Sequence, residues 1–107
     1  MTWEAMSEQE RDAWIVKAMG WSEWPPIFPT SDISAAMEAE EKIMQDAETR
    51  GYYFLNLADI LDVDVDVSPS IDDMLSLIHA SAADRCKAMF LTIQHKERKK
   101  YESNIHH

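Results

Sequence analysis

Asp62, Asp64 and Asp66 stand at every second position of "LDVDVDVSPSIDD", and Asp72 and Asp73 follow close behind. Carboxylates at that spacing suit one of three chemistries. The first is calcium ligation, with Asp62, Asp64, Asp66 and Asp73 at positions 1, 3, 5 and 12 of an EF-hand-like loop. Val67 stands where that loop needs its glycine, and Asp73 is shorter than the bidentate glutamate, so no metal is assigned. The second is an edge strand that keeps Val63, Val65 and Val67 on the core and charges its outer face, which also discourages edge-to-edge association. The third uses the same strand as a row of negative charges. Alternate residues repeat at about 6.6 Å, close to phosphate spacing, so the row could occupy a basic groove built for nucleic acid.

A second cluster lies in "GWSEWPPIFPTSD". Trp21, Trp24 and Phe28 sit on a proline-stiffened loop and make natural interface anchors, because a stiff loop loses little entropy on binding. Thr30 and Ser31 stand where a helix begins, and free backbone N–H groups there favour anions. Trp21, Trp24, Thr30 and Ser31 therefore form an alternative site for a small ligand such as a signalling nucleotide. Against this, the tryptophans could simply close over the core while Ser31 or Asp32 caps the helix. Catalysis finds little support. Cys86 falls on an apolar helical stripe, only two glycines exist to build a phosphate loop, and no His/Cys pair has zinc-ligand spacing. No catalytic residue, cofactor or enzymatic activity is assigned.

The elements that must position these residues follow from periodicity. "SEQERDAWIVKAMG" carries a capping box (Ser7 and Glu10), a stripe of Trp14, Ile15, Ala18 and Met19, and Gly20 as the stop. Residues 30–51 read as one long helix capped by Thr30 or Ser31, with Ile33, Ala36, Met37, Ile43, Met44 and Ala47 facing the core and Arg50-Gly51 ending it. "YYFLNLAD" reads as a strand, and "LDVDVDV" as a second. "DMLSLIHA" reads as a third strand or a short helix, so residues 68–79 stay open between the two. A third helix runs from Ser81 through Ala82, Cys86, Met89, Phe90 and Ile93 into the basic "HKERKKY". The expected fold is α+β, with three helices packed on a small antiparallel sheet of two or three strands. It forms a single domain over residues 1–100, and residues 101–107 form a flexible tail. The terminal pair His106 and His107 is given no role.

Charge narrows the partners. Twenty acidic residues against ten basic give a formal charge of −10. Residues 1–79 hold 17 acids and 4 bases, whereas residues 80–107 hold 3 acids and 6 bases. Such a body is repelled by nucleic acid and anionic membranes and attracted to basic protein surfaces. The single cysteine excludes an internal disulfide, and the acidic start of the chain is unlike a secretory signal. The expected location is the cytoplasm.

Several of these stretches together resemble the phage ABA sandwich domain family. They are Met19-Gly20-Trp21, a proline-containing loop, Phe28-Pro29-Thr30-Ser31-Asp32-Ile33 opening an alanine-rich helix, and Asp84-Arg85-Cys86-Lys87-Ala88. Phe28-Pro29-Thr30 stands where the family pattern has Tyr-Ser-Thr, and Lys87 stands where an arginine is usual. The resemblance covers residues 10 to 93 and implies a small phage or prophage protein with helices on a short antiparallel sheet and no enzymatic activity. With the charge, it gives the expected function. The chain would bind and inhibit a host defence protein in the anti-CRISPR manner, by acidic mimicry of nucleic acid through Asp62, Asp64, Asp66, Asp72 and Asp73, with Trp21, Trp24 and Phe28 as apolar anchors. The partner would present a basic, nucleic-acid-binding surface, and neither nucleic acid nor membrane would bind directly. The alternatives are the small-ligand pocket and a self-associating phage structural component, for example a homodimer.

Overall fold

A computed structural model describes residues 2–64 and 70–105, with side chains described up to residue 100. Among the described residues, five α-helices follow a short 3-10 turn at Trp3–Ala5: α1 (Glu8–Met19), α2 (Ile33–Ile43), α3 (Ala47–Ile60), α4 (Ile71–Ile78) and α5 (Ala82–Ile105). Among the described residues there is no strand. The expected α+β fold, with its antiparallel sheet, is therefore corrected to an all-helical one. The sheet implied by the family resemblance goes with it.

α1 forms as its residues dictate. The Ser7 hydroxyl accepts from the Glu10 amide while the Glu10 carboxylate accepts from the Ser7 amide, and Gly20 takes the left-handed conformation (φ 72°) that ends the helix. Arg11 donates to the Trp3 carbonyl and lies 4.9 Å over the Trp3 ring, which pins the N-terminal turn to α1.

The expected long helix over residues 30–51 is two helices. It breaks at Met44–Asp46 because Asp46 caps a new one, its carboxylate accepting from the Thr49 amide at 3.0 Å and the Thr49 hydroxyl at 2.5 Å. Arg50 and Gly51 lie inside α3 and stop nothing. α3 then absorbs "YYFLNLAD", the first expected strand. Thr49, Tyr53, Leu57 and Ala58 are its buried residues, and the step of four from Thr49 to Tyr53 to Leu57 stays on one face in a helix.

The second expected strand is replaced by a helix stop. Leu61 caps α3, and Asp62 stands at φ 56°. The Asp62 amide donates to Asp59 and the Val63 amide to Ala58 at 2.8 Å. This is a Schellman motif with aspartate where glycine is usual, closed by the buried Val63. Val65, Asp66 and Val67 lie outside the described residues. "DMLSLIHA" resolves to helix: a Ser70–Asp73 capping box starts α4 at Ile71.

α5 is the central element. It packs on α3 and on α2, and α1 packs on α2. Phe90 sits at the centre, 5.2 Å from the Trp3 ring and 4.6 Å from the Trp14 ring. α2 meets the core with Ala35, Ala36, Ala39 and Ile43. This small-residue face suits the large Met89 and Phe90 of α5, in the large-against-small manner of dense cores. The stripe expected to face the core is thus partly rotated away, with Ile33, Met37 and Met44 at 45, 50 and 39 % exposure.

Candidate functional site

The expected acidic row is not a row. Asp62 is held by the left-handed stop of α3, and Asp64 is exposed four residues past α3's end. Asp66 lies outside the described residues. Asp72 is exposed in the first turn of α4, whereas the Asp73 carboxylate already accepts from the Ser70 amide. The even repeat along one strand face, on which nucleic-acid mimicry rested, is absent for the residues described.

The aromatic loop divides in two. Trp21 packs against the core, while Trp24 and Phe28 project at 79 and 55 % exposure. The Thr30 amide and hydroxyl both donate to the buried Asp12 carboxylate, at 2.8 and 2.7 Å, and tie the loop to α1. Thr30 is thus a structural bond and not a helix cap. That role falls to Asp32, whose carboxylate accepts from the Ser34 amide at 3.0 Å. The Ser31 hydroxyl turns back to the Phe28 carbonyl. A cavity of about 800 Å³ lies beside this loop, and Glu8, Asp12 and Glu23 line it together with Phe28 and Ser31. Three carboxylates there, and a fourth capping α2, oppose an anionic ligand such as a nucleotide.

Cys86, His79 and His95 lie apart from one another in the fold. Cys86 is completely buried, and burial, reinforced by the charge of Asp12, pushes its thiol up to about 12. A thiol so placed is not a nucleophile at neutral pH. His95 packs tilted against the Tyr52 ring at 4.5 Å, and His79 is the exposed C-cap of α4. Among the described residues no three His, Cys, Asp or Glu side chains gather as metal ligands. The basic end of α5 fastens it to α3: Lys99 pairs with Glu48 at 2.9 Å and Lys96 with Asp46 at 3.8 Å.

The surface best formed for recognition lies elsewhere. A groove of about 590 Å³ runs between the end of α2, α3 from Ala47 to Leu57 and the end of α4. Met44, Phe54, Leu57, Leu77 and Ile78 line it, with Phe54 46 % and Ile78 65 % exposed. Its floor is a closed polar cluster. Arg85, 8 % exposed, pairs with Glu40 at 2.5 Å, and the Tyr53 hydroxyl donates to the same Glu40 oxygen. Arg85 also donates to the carbonyls of Ile78 (2.8 Å) and Ala80 (2.9 Å), clamping the end of α4. Burial and the neighbouring Glu40 carboxylate drive the Tyr53 hydroxyl far above its ordinary range, so it stays a donor.

α4 itself contributes no buried residue. Ile71, Met74, Leu75 and Ile78, at the i, i+3, i+4, i+7 spacing of a contact face, are all at least 45 % exposed. The sequence pattern hides the groove residues because it places Met44 in the core and Phe54 in a strand. The spacing of Ile71, Met74, Leu75 and Ile78 was the available signal.

Compared with known proteins, the chain matches no family model, no curated protein and no solved structure. No described helix is long and apolar enough to cross a membrane.

Proposed function

We propose that this chain is a non-enzymatic binding protein that captures another protein and blocks its action. The observation that carries the reading is the apolar groove of Met44, Phe54, Leu77 and Ile78, which adjoins the exposed apolar residues of α4. A chain with charge −10 is already soluble without help, so it gains nothing from leaving such side chains in water. Contiguous exposed apolar surface marks interaction sites. The charge selects the class of partner, since a net-negative body is drawn to a basic surface and speeds its encounter with one. In biological terms this is an accessory protein of the phage or prophage kind, occupying the basic surface of a nucleic-acid-binding host defence protein. Long-range charge, not a strand-spaced carboxylate row, supplies the steering.

Affinity capture from bacterial lysate, with the chain as bait and a salt gradient for elution, tests the reading. A retained protein should leave as salt rises, should escape a Phe54→Ser bait, and should lose its own nucleic-acid binding when the wild-type chain is added. An empty capture with folded bait refutes it. So does a retained protein indifferent to Phe54→Ser. Trp24 and Phe28 form a second exposed aromatic pair, and Trp24→Ala bait run in parallel shows which face carries the contact.

A further inference from the structure

We propose that the groove between α2, α3 and α4 receives an amphipathic, basic α-helix of the partner protein. This rests on the binding reading above and specifies its occupant.

The walls call for apolar side chains. Phe54, Leu57, Leu77 and Ile78 present hydrocarbon, while the polar floor is already paired: Glu40 is held by Arg85 and Tyr53, and Arg85 by Glu40 and two carbonyls. A polar occupant would find those groups engaged and would lose its water without replacement. The occupant must also satisfy its own backbone. Among the described residues there is no strand whose edge could pair with an extended peptide, so β-addition has no template here. A helix brings its N–H and C=O groups already bonded and needs only a groove for one face.

Charge indicates which helix. From Met44 the apolar surface continues to Met37, flanked by Glu38 and Glu41. Both glutamates are exposed, and neither forms an ion pair among the described residues. Lysines or arginines beside the apolar stripe of an incoming helix would meet them. Met37 and Met44 add unbranched, polarizable side chains that adjust to the shape of their occupant. Arg50 lines the groove as an exposed cation. An acidic residue at one end of the partner helix would face it and set the helix direction. About three turns of helix, roughly 16 Å, would place apolar residues at i, i+4 and i+7 along these walls.

The test uses two fluorescent 18-residue peptides of identical Leu/Lys composition, one with leucines at helical period and one with strict alternation. Fluorescence anisotropy against the folded chain should show the helical-period peptide binding at least about tenfold more tightly, with a gain in peptide helicity by circular dichroism. Phe54→Ser combined with Met44→Ser should weaken it about tenfold or more. Glu38→Gln with Glu41→Gln should weaken it roughly threefold at low salt and flatten its salt dependence. All four positions are exposed, and an unchanged melting curve for each variant verifies the fold.

Equal binding of the two peptides would mean charge attraction without a groove and would overturn the proposal. Indifference to the Phe54/Met44 pair would do the same. If neither peptide binds while lysate capture still yields a Phe54-dependent partner, the helical occupant is wrong and the binding reading survives. A dimer by light scattering that Phe54→Ser dissolves would instead assign the groove to a second copy.

Discussion

Removing Arg85 should cost this small domain a large part of its stability. The side chain is 8 % exposed and its partner Glu40 15 %, so Arg85→Ala would leave a largely buried carboxylate with only the Tyr53 hydroxyl for company. Breaking a buried pair from one side typically costs about 3–5 kcal/mol. The carbonyls of Ile78 and Ala80 would lose their charged donor as well. A chain of 107 residues has a total stability of roughly 5–15 kcal/mol. With a urea m-value of about 1.5 kcal/mol/M, the unfolding midpoint should fall by about 2–3 M. Urea titration followed by tryptophan fluorescence and far-ultraviolet circular dichroism reads this directly. Arg85→Met with Glu40→Met should recover part of the loss, because no unpaired charge is left buried, while the Tyr53 hydroxyl and the Ile78 and Ala80 carbonyls still lack their partners. The coupling between the two sites should then reach about 2 kcal/mol in a double-mutant cycle. Amide exchange gives an independent readout, with residues 74–79 of α4 opening faster in Arg85→Ala. A cost under about 1 kcal/mol, or additive single mutants, would refute the view that this cluster holds α2, α3, α4 and α5 together.

Two further predictions follow from groups whose titration the structure displaces. The buried Cys86 thiol, pushed up to about 12, should resist an aromatic disulfide reagent at pH 8 in the native chain and react fully in denaturant; rapid native labelling would show that α5's buried face opens readily. The Glu10 carboxyl is held below its usual 4.5, first by the Ser7 amide and then by the Ser7 hydroxyl. A depressed folded value gives stability that is present above pH 4.5 and lost as pH falls through it, so the acid limb of the melting curve should flatten in Glu10→Gln. A Ser7→Ala variant, which removes the cap at a cost of about 1 kcal/mol, should leave the same limb shallower, and an unchanged acid limb in both variants would contradict the linkage.

Elements with local end signals were legible from the sequence, and those decided by packing were not. α1 has its box, its stripe and its glycine within fourteen residues, and α5 shows an apolar stripe from Ala82 to Ile93, so each could be read without knowledge of the rest. α3 defeated the same reading because "YYFLNL" concentrates aromatic and branched residues that favour strands, and β-propensity is weak against tertiary context. The helical period emerges only when Thr49 is counted with Tyr53 and Leu57. Within a single helix over residues 30–51, Thr49 carries no such signal. The Asp46–Thr49 cap is therefore the pivotal feature. It splits the long helix and places "YYFLNL" in the second half.

The candidate site was illegible for a related reason. Alternating Asp and Val in "LDVDVDV" match a strand template, but at Asp62 aspartate takes the left-handed stop usually given to glycine, and Val63 is buried as the apolar closure of that stop. Alternation over so short a stretch cannot distinguish a strand from a helix terminus with one residue in and the next out. The groove required a different inference, namely that α2 would bury its alanines and turn Met37 and Met44 outward. A hydrophobicity pattern ranks methionine above alanine for the core. The close approach of α2 to α5, across Ala36 and Ala39 at zero exposure, reverses that order. The larger side chains are displaced to the surface, and there they supply part of the groove and its extension. An amphipathic helix whose small face is the buried one thus carries a binding surface on its large face, and α2 shows that arrangement beside Glu38 and Glu41.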